Sequence, residues 1–230
     1  MTESEKYLVE NYKTICYNVN EASAKYAGGR KVRIMGVTKT VDPQLVNCSI
    51  DLGIDLLGEN RVQEYLSKKD IYKPCEVQFI GNLQTNKIKY IIDSVSMIQS
   101  VGTLPLAQAI DKQAEKHGRV MDILVQINIG SELTKGGFEK EQTDEAIYAI
   151  EQLKNVRVRG LMTIPPPGCG EDVFDSMHRL YLDMKEKHDH SGCFDTLSMG
   201  MSGDYEIAVK HGSTLVRLGT ALYGARIYKK

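Results

Sequence analysis

The stretch VRIMGVTK, residues 32–39, is a short apolar run that ends in a lysine. Seven more runs of apolar or β-branched residues have strand length and are bounded by polar or glycine-containing turns. They cover residues 54–57, 77–80, 95–98, 123–129, 156–161, 196–199 and 214–218. The segments between them are too long for hairpin turns, and several are long enough for a helix. The pattern therefore predicts eight parallel strands joined by helical connections.

Helical periodicity supports this interpretation. Apolar residues recur at three- and four-residue steps over residues 8–22, which predicts a helix before the first strand, and over 106–117 and 173–187. The predicted fold class is α/β: a single TIM-type (β/α)8 barrel with an extra N-terminal helix, in which residues 1–230 form one domain. A doubly wound open sheet is the alternative, but no GxGxxG motif follows the first strand.

Composition limits the possible functions. The chain has 230 residues, with 29 basic and 30 acidic side chains, and a net charge of -1. Such a balance gives no general attraction for nucleic acid or anionic membranes. The first residues, MTESEKYLVENYK, lack the apolar core of a signal peptide, and no apolar stretch is long enough to span a bilayer. Five scattered cysteines indicate reduced thiols, as in a cytoplasmic protein. Together with the balanced charge and the lack of a membrane-spanning stretch, they lead us to expect a cytoplasmic protein without nucleic-acid or membrane partners.

In a parallel barrel, the loops after the strands build the functional site at one rim. Lys39 follows the first predicted strand, and Met35, Val37 and Lys39 share one side of it. If Val37 faces the interior, the lysine amine rises from the rim. A partly desolvated lysine loses its proton more easily, as attack on an aldehyde requires. A plain surface lysine in a strand-to-helix loop is the alternative.

Two glycine-containing loops follow the last two predicted strands: SMGMSGD at 198–204 and VRLGT at 216–220. Gly200 and Gly203 allow backbone amides to approach an anion closely, and Ser202 offers a hydroxyl. Gly219 and Thr220 provide the same features at the start of the next helix. Loops in these positions form the usual phosphate site of TIM barrels. Two well-capped helices without a ligand are the alternative.

Arg217 alternates with Val216 and Leu218, so its guanidinium can point into the pocket between phosphate and lysine. A salt bridge to a rim carboxylate is equally consistent with the sequence. A lysine that faces a phosphate cradle is what a protein needs to hold pyridoxal phosphate (PLP) as a Schiff base. An arginine at the pyridine nitrogen would disfavour protonation of that nitrogen, and the ring would then be a weak electron sink.

Six motifs occur in order along the chain: GVTKT, GEN, VQFIGNLQTNK, RGLMTIPP, LSMGMS and VRLGTALYGAR. As a set they resemble the pyridoxal phosphate homeostasis protein family, whose fold is similar to the barrel domain of alanine racemase. The resemblance implies that Lys39 carries the aldimine and that Asn60 lies near the cofactor. It also implies that Ser202, Gly219 and Thr220 hold the phosphate, that Arg217 faces the pyridine nitrogen, and that Met199 and Gly200 line the site.

The resemblance implies a small monomeric or weakly dimeric protein that binds PLP, takes part in vitamin B6 homeostasis and has no established turnover. Apoenzymes that use PLP are the expected recipients, and no metal is expected. One departure from the family pattern is Gln78, where many relatives have histidine, which puts a general acid at that rim in doubt.

Two alternatives remain open. One is a PLP-dependent enzyme of racemase or lyase type that acts weakly on small amino acids. Lys39, Tyr205 and Lys135 are then candidate proton-transfer groups, and loop residues 134–137 could fold over the mouth. The other is a Schiff-base aldolase of sugar phosphates, which would share the lysine and the phosphate site but lack an aromatic chromophore.

Overall fold

The structure is a computed structural model that describes residues 1–130 and 136–225. Within these residues, eight parallel strands form a closed barrel in chain order, and the last strand pairs with the first. This confirms the predicted TIM-type α/β fold. The strands are Arg33–Val37 (β1), Leu56–Glu59 (β2), Glu76–Phe79 (β3), Met97–Val101 (β4), Met121–Ile127 (β5), Val156–Thr163 (β6), Thr196–Ser198 (β7) and Leu215–Leu218 (β8).

Helices surround the barrel. The α-helices are Glu3–Tyr26 (α1), Pro43–Leu52 (α2), Val62–Lys68 (α3), Leu104–Lys116 (α4), Thr143–Glu151 (α5), Glu171–His188 (α6), Tyr205–Lys210 (α7) and Thr220–Tyr223 (α8). A 3-10 helix, Thr85–Tyr90, takes the place of an α-helix between β3 and β4, and a second one, Lys140–Gln142, precedes α5. None of the described helices combines the length and the apolar character needed to cross a bilayer.

Helix α1 confirms the predicted helix before the first strand. Its start is fixed by a capping box, in which the Thr2 hydroxyl accepts a hydrogen bond from the backbone N–H of Glu5 and the Glu5 carboxylate accepts one from that of Thr2. Leu8, Ile15 and Val19 form its buried stripe. The helix packs outside the barrel against α2, α7 and α8.

The alternation of residues along the strands separates the apolar side chains inside the barrel from the larger core between the barrel and the helices. Met35, Val37 and Leu56 pack inside the barrel, whereas Phe79 and Ile98 belong to the larger core between the barrel and the helices. Strands β1 and β8 pair in register, so that Met35 lies beside Arg217. Because all eight strands are parallel, their carboxyl ends meet at one rim of the barrel, and the inward-facing residues near these ends lie close together.

Candidate functional site

Lys39 lies two residues beyond the end of β1, at the rim of the barrel. The strand residues Met35 and Val37 pack together in the barrel interior. Because alternate residues of a strand face the same side, Lys39 continues this inward-facing row. It is partly buried and lines a cavity at the carboxyl ends of the strands, together with Val37.

The cavity has a volume of about 330 Å³, which is in the range of pockets that bind small ligands. It is lined by Val37, Lys39, Asn60, Ile80, Ile164, Met201, Ser202, Gly203, Arg217, Gly219 and Thr220. The structure therefore brings together six predicted site residues from distant parts of the chain: Lys39, Asn60, Ser202, Arg217, Gly219 and Thr220. The apolar lining residues were not predicted; the alternation of residues in β1 and β3 is the signal that points to Val37 and Ile80.

Met199 was expected to line the site, but it does not line this cavity; Met201 does. The side chain of Ser198 points into the barrel, where its hydroxyl accepts a hydrogen bond from Arg217. Met199 therefore faces the opposite side of the chain, and it is fully buried in the core between barrel and helices.

Gly200 was also expected at the site, and it too is outside the cavity lining, whereas Gly203 belongs to it. Gly200 has a φ of 95°, and a β-carbon at this position would lie 2.5 Å from the β-carbon of Ala208. Its carbonyl oxygen accepts a hydrogen bond of 2.9 Å from the backbone N–H of Arg217. Gly200 thus shapes the loop and joins it to β8.

The guanidinium of Arg217 is enclosed in the barrel, with 4% of the residue exposed. It donates hydrogen bonds of 2.7 Å to the hydroxyl of Ser198 and to the carbonyl oxygen of Thr163. These partners are a hydroxyl and a carbonyl, and neither cancels the positive charge. Burial lowers the pKa of Arg217 to about 10, and nearby Asp204 opposes this effect only in part. Arg217 is therefore a fixed cation at neutral pH.

A chain of hydrogen bonds, buried as far as Gln78, continues from Arg217 through the barrel. The hydroxyl of Ser198 donates to Gln99 Oε1 at 2.7 Å, and Gln99 Nε2 donates to Gln78 Oε1 at 2.6 Å. Gln78 Nε2 then donates to Glu76 Oε1 at 2.7 Å. Every bond runs in the same direction, from the guanidinium to a carboxylate. Gln78 therefore lies inside the barrel as part of the support of Arg217.

The two loops predicted to bind phosphate contact each other. The Ser202 hydroxyl accepts a hydrogen bond of 3.0 Å from the backbone N–H of Ala221, in the first turn of α8. Gly203 has open space where a β-carbon would be, so its backbone is accessible from the cavity. Gly219 and Thr220 complete this wall. The arrangement provides polar groups for an anion on the side of the cavity formed by β7 and β8.

Asn60 follows β2 and lines the same cavity. Its backbone is packed tightly, since a β-carbon at Gly81 would lie 2.0 Å from the carbonyl oxygen of Asn60. Asn60 Oδ1 is buried and has no hydrogen-bond partner among the described residues. Because buried acceptors are normally satisfied, this oxygen marks a position where a ligand could supply a donor.

Glu59 precedes Asn60 and lies on the other face of β2. The carboxylate is fully buried, and Oε1 accepts hydrogen bonds of 2.7 Å from the hydroxyls of Thr38 and Tyr72. Oε2 has no partner among residues 1–130 and 136–225. Burial raises the pKa of Glu59 despite these two hydrogen bonds. This carboxyl lies beside the turn that carries Lys39.

Other candidate groups lie elsewhere. Tyr205 lines a different cleft, and its hydroxyl accepts a hydrogen bond of 2.9 Å from Asn18 on α1. Lys135 and Thr134 lie outside the described residues. Histidine is absent from the cavity lining, and the described part of the chain contains no cluster of three or more side chains that could hold a metal ion.

Comparisons with known proteins show the family to which the chain belongs. The family model of the alanine racemase N-terminal domain matches residues 11–227. A pyridoxal phosphate homeostasis protein of Aquifex aeolicus is 40% identical over 207 residues, which cover 87% of this chain and 90% of that protein. The protein of the same name from Escherichia coli K12 is 34% identical over 209 residues, covering 87% and 88%.

Solved structures show the same fold. PipY of Synechococcus elongatus PCC7942, solved with PLP bound, has a TM-score of 0.80 and 25% identity, covering 94% of this chain and all (100%) of PipY. Alanine racemase of Clostridium difficile 630 has a TM-score of 0.74 and 18% identity, covering 96% of this chain and 58% of the racemase, which shows a shared fold. From its motifs, its barrel and these relatives, the chain belongs to the pyridoxal phosphate homeostasis protein family, with the fold of the alanine racemase N-terminal domain.

Proposed function

We propose that this protein binds PLP covalently through Lys39 and acts in vitamin B6 homeostasis as a carrier without catalytic turnover. One observation carries the proposal: Lys39, Arg217 and the two loops after β7 and β8 line one cavity of about 330 Å³. A primary amine, a fixed cation and an anion-binding wall are the groups that an aromatic aldehyde with a phosphate requires.

The residues present fit such a ligand. Ser202, Gly203 and Thr220 offer polar groups for the phosphate, and the apolar side chains of Val37 and Ile80 can pack on the ring. The unpartnered Oδ1 of Asn60 can accept a hydrogen bond from a ring substituent. Both ends of the ligand and its ring therefore have matching groups in the cavity.

Lys39 is the nucleophile in this proposal. When PLP is bound, the ε-amino group of Lys39 would supply the amine that condenses with the aldehyde, with the loss of one water molecule. Another amine can release the ligand by taking the place of Lys39, or water can reverse the condensation. PLP supplies an electron-withdrawing ring when it is bound. Arg217 would limit that property, because a cation beside the ring nitrogen disfavours its protonation.

The names of the relatives support a role in homeostasis, since the Aquifex aeolicus and Escherichia coli proteins carry that name and PipY was solved with PLP bound. The position of Tyr205 supports a carrier over a racemase, because its hydroxyl contacts Asn18 outside the cavity. We propose PLP-requiring apoenzymes as the recipients and a monomer or weak dimer as the working form. The five free cysteines are consistent with action in a reducing cytoplasm.

Absorbance spectroscopy tests the covalent link. Wild-type protein titrated with PLP is expected to develop a near-visible band that borohydride abolishes. Lys39→Ala should lose this band. Lys87→Ala removes a rim lysine from the neighbouring cleft and should keep it. A reducible band of wild-type strength in Lys39→Ala would overturn the proposal.

Solvent deuterium exchange tests the absence of turnover. The PLP-loaded protein is incubated in deuterated water with a panel of small amino acids, and the label at the α-carbon is measured by mass spectrometry. A carrier is expected to give no more exchange than free PLP. Exchange well above that background, and lost in Lys39→Ala, would instead show an enzyme.

A further inference from the structure

Thr40, the residue immediately after Lys39, has an unusual backbone conformation. Its φ is 63°, and it is the one non-glycine residue in the described ranges with a positive φ. A β-branched side chain in the left-handed region clashes with the backbone, so this conformation costs free energy. Strain of this kind persists only where surrounding contacts impose it.

Helix α3 supplies such contacts on both sides of Lys39. Glu64 Oε1 accepts a hydrogen bond of 2.5 Å from the backbone N–H of Thr40. Lys68 lies one turn later on the helix and donates from Nζ to Glu64 Oε1 at 2.5 Å. The same ammonium group donates to the carbonyl oxygen of Thr38 at 3.3 Å. One ion pair therefore binds the backbone directly before and directly after Lys39.

The ion pair is well shielded from water. The exposed fraction of the side chain is 12% for Lys68 and 17% for Glu64. Burial raises the pKa of Glu64, but the hydrogen bonds from Lys68 and Thr40 outweigh it and the net shift is downward. Glu64 is therefore ionised at neutral pH. A shielded pair with fixed geometry is suited to hold a backbone segment in place.

We propose that Glu64 and Lys68 are positioning residues that hold the turn 38–40 in its strained conformation and so fix the approach of the Lys39 amine. The inference rests on the proposed function, in which Lys39 binds PLP. The role of the Glu64–Lys68 pair differs from that of a surface ion pair such as Asp183–Lys187. The latter two residues lie four positions apart within α6 and stabilise that helix.

A double-mutant cycle of Glu64 and Thr40 tests the proposal. Glu64→Ala removes the acceptor for the Thr40 N–H, and Thr40→Gly removes the strain because glycine adopts a positive φ freely. We expect Glu64→Ala to slow the formation of the borohydride-reducible PLP adduct about tenfold, since small misplacements of a reacting group have effects of this size or larger. When Thr40→Gly is also present, the loss should be clearly smaller.

Two further variants separate positioning from general destabilisation. Glu64→Gln keeps an oxygen acceptor for Thr40, and it should lose less than Glu64→Ala. Asp183→Asn breaks the α6 pair, and it should form the adduct at the wild-type rate. All rates are measured at a temperature at which circular dichroism shows each variant fully folded; if Glu64→Ala does not fold, Lys68→Met takes its place in the cycle.

The outcomes distinguish the two proposals. Wild-type adduct rates in Glu64→Ala, or strictly additive effects of the two substitutions, overturn the positioning role while leaving PLP binding at Lys39 intact. If the wild-type protein itself forms no adduct at Lys39, the proposed function fails. The hold of Glu64 on the strained turn is then still tested without PLP, because Thr40→Gly should recover part of the thermal stability lost in Glu64→Ala.

Discussion

Arg217 Nη1 donates a hydrogen bond of 2.7 Å to Ser198 Oγ inside the barrel. Because the Ser198 hydroxyl is itself a donor to Gln99, this contact is the first step of the chain that ends at Glu76. A buried guanidinium can take several orientations. A series of hydrogen bonds in which every donor points the same way fixes one of these orientations. The charge that faces the cavity is thus fixed by residues on three other strands, β7, β4 and β3.

Gln99→Leu should destabilise the protein. The substitution leaves the buried Ser198 hydroxyl without its acceptor and Gln78 Oε1 without its donor. We expect a loss of about 2 kcal/mol in the free energy of unfolding, measured by urea denaturation. Gln108→Leu, on the exposed face of α4, is the control and should change stability by less than about 0.5 kcal/mol. Equal stability of the two variants would show that the hydrogen bonds from Arg217 to Glu76 do not stabilise the fold.

Replacement by alanine should affect stability differently at Gly200 and at Gly203. Gly200→Ala forces a β-carbon to within 2.5 Å of Ala208 at a φ of 95°, and it should destabilise the fold by about 2–3 kcal/mol. Gly203→Ala has open space and should leave stability within about 0.5 kcal/mol of the wild type. It should nevertheless weaken PLP binding, because Gly203 lines the part of the cavity where we propose that the phosphate binds.

Thermal unfolding and equilibrium dialysis against PLP measure the two effects of these substitutions separately. A stable Gly200→Ala variant would show that the loop after β7 can relax. Unchanged PLP affinity in Gly203→Ala would place the phosphate elsewhere.

Glu59→Gln should make stability less dependent on pH. Burial raises the folded-state pKa of Glu59 above the ordinary value of 4.5, so folding favours the protonated carboxyl. This favourable contribution is complete below the ordinary value and is lost as pH rises through the raised one. Glutamine imitates the neutral form and keeps an acceptor for Thr38 and Tyr72. The variant should therefore match the wild type near pH 4 and exceed its stability near pH 8.

Denaturant midpoints over this pH range check the Glu59 prediction. Glu115→Gln, on the exposed side of α4, is the control and should follow the wild-type pH profile. A Glu59→Gln variant that is less stable than the wild type at every pH would mean that the second carboxylate oxygen has a partner that glutamine cannot replace.

Much of the fold could be predicted from the sequence, because each apolar run is a local pattern. All eight runs became strands, although β4 begins at Met97 and continues to Val101 instead of covering 95–98. Val95 is buried but precedes the strand, so apolarity alone misplaced the boundary. The 3-10 helix Thr85–Tyr90 was not predicted, since its segment has no clear helical period.

Candidate site residues could be predicted where their position at the end of a strand is enough to place them at the rim of the barrel. Lys39 and Asn60 follow strands, Arg217 is the next-to-last residue of β8, and the barrel brings the three together. Met199 lies outside the cavity lining because the inward face of β7 belongs to Ser198, and this register depends on the neighbouring strands. The contact between Glu64 and Thr40 joins residues 24 positions apart, and no local pattern indicates it.

Mass mapping of the PLP adduct shows which lysine binds the aldehyde. The protein is incubated with PLP, reduced with borohydride and digested, and the modified peptides are identified by tandem mass spectrometry. We expect the phosphopyridoxyl group on Lys39, in the peptide that follows β1. Labelling confined to other lysines, with Lys39 unmodified, would contradict this expectation.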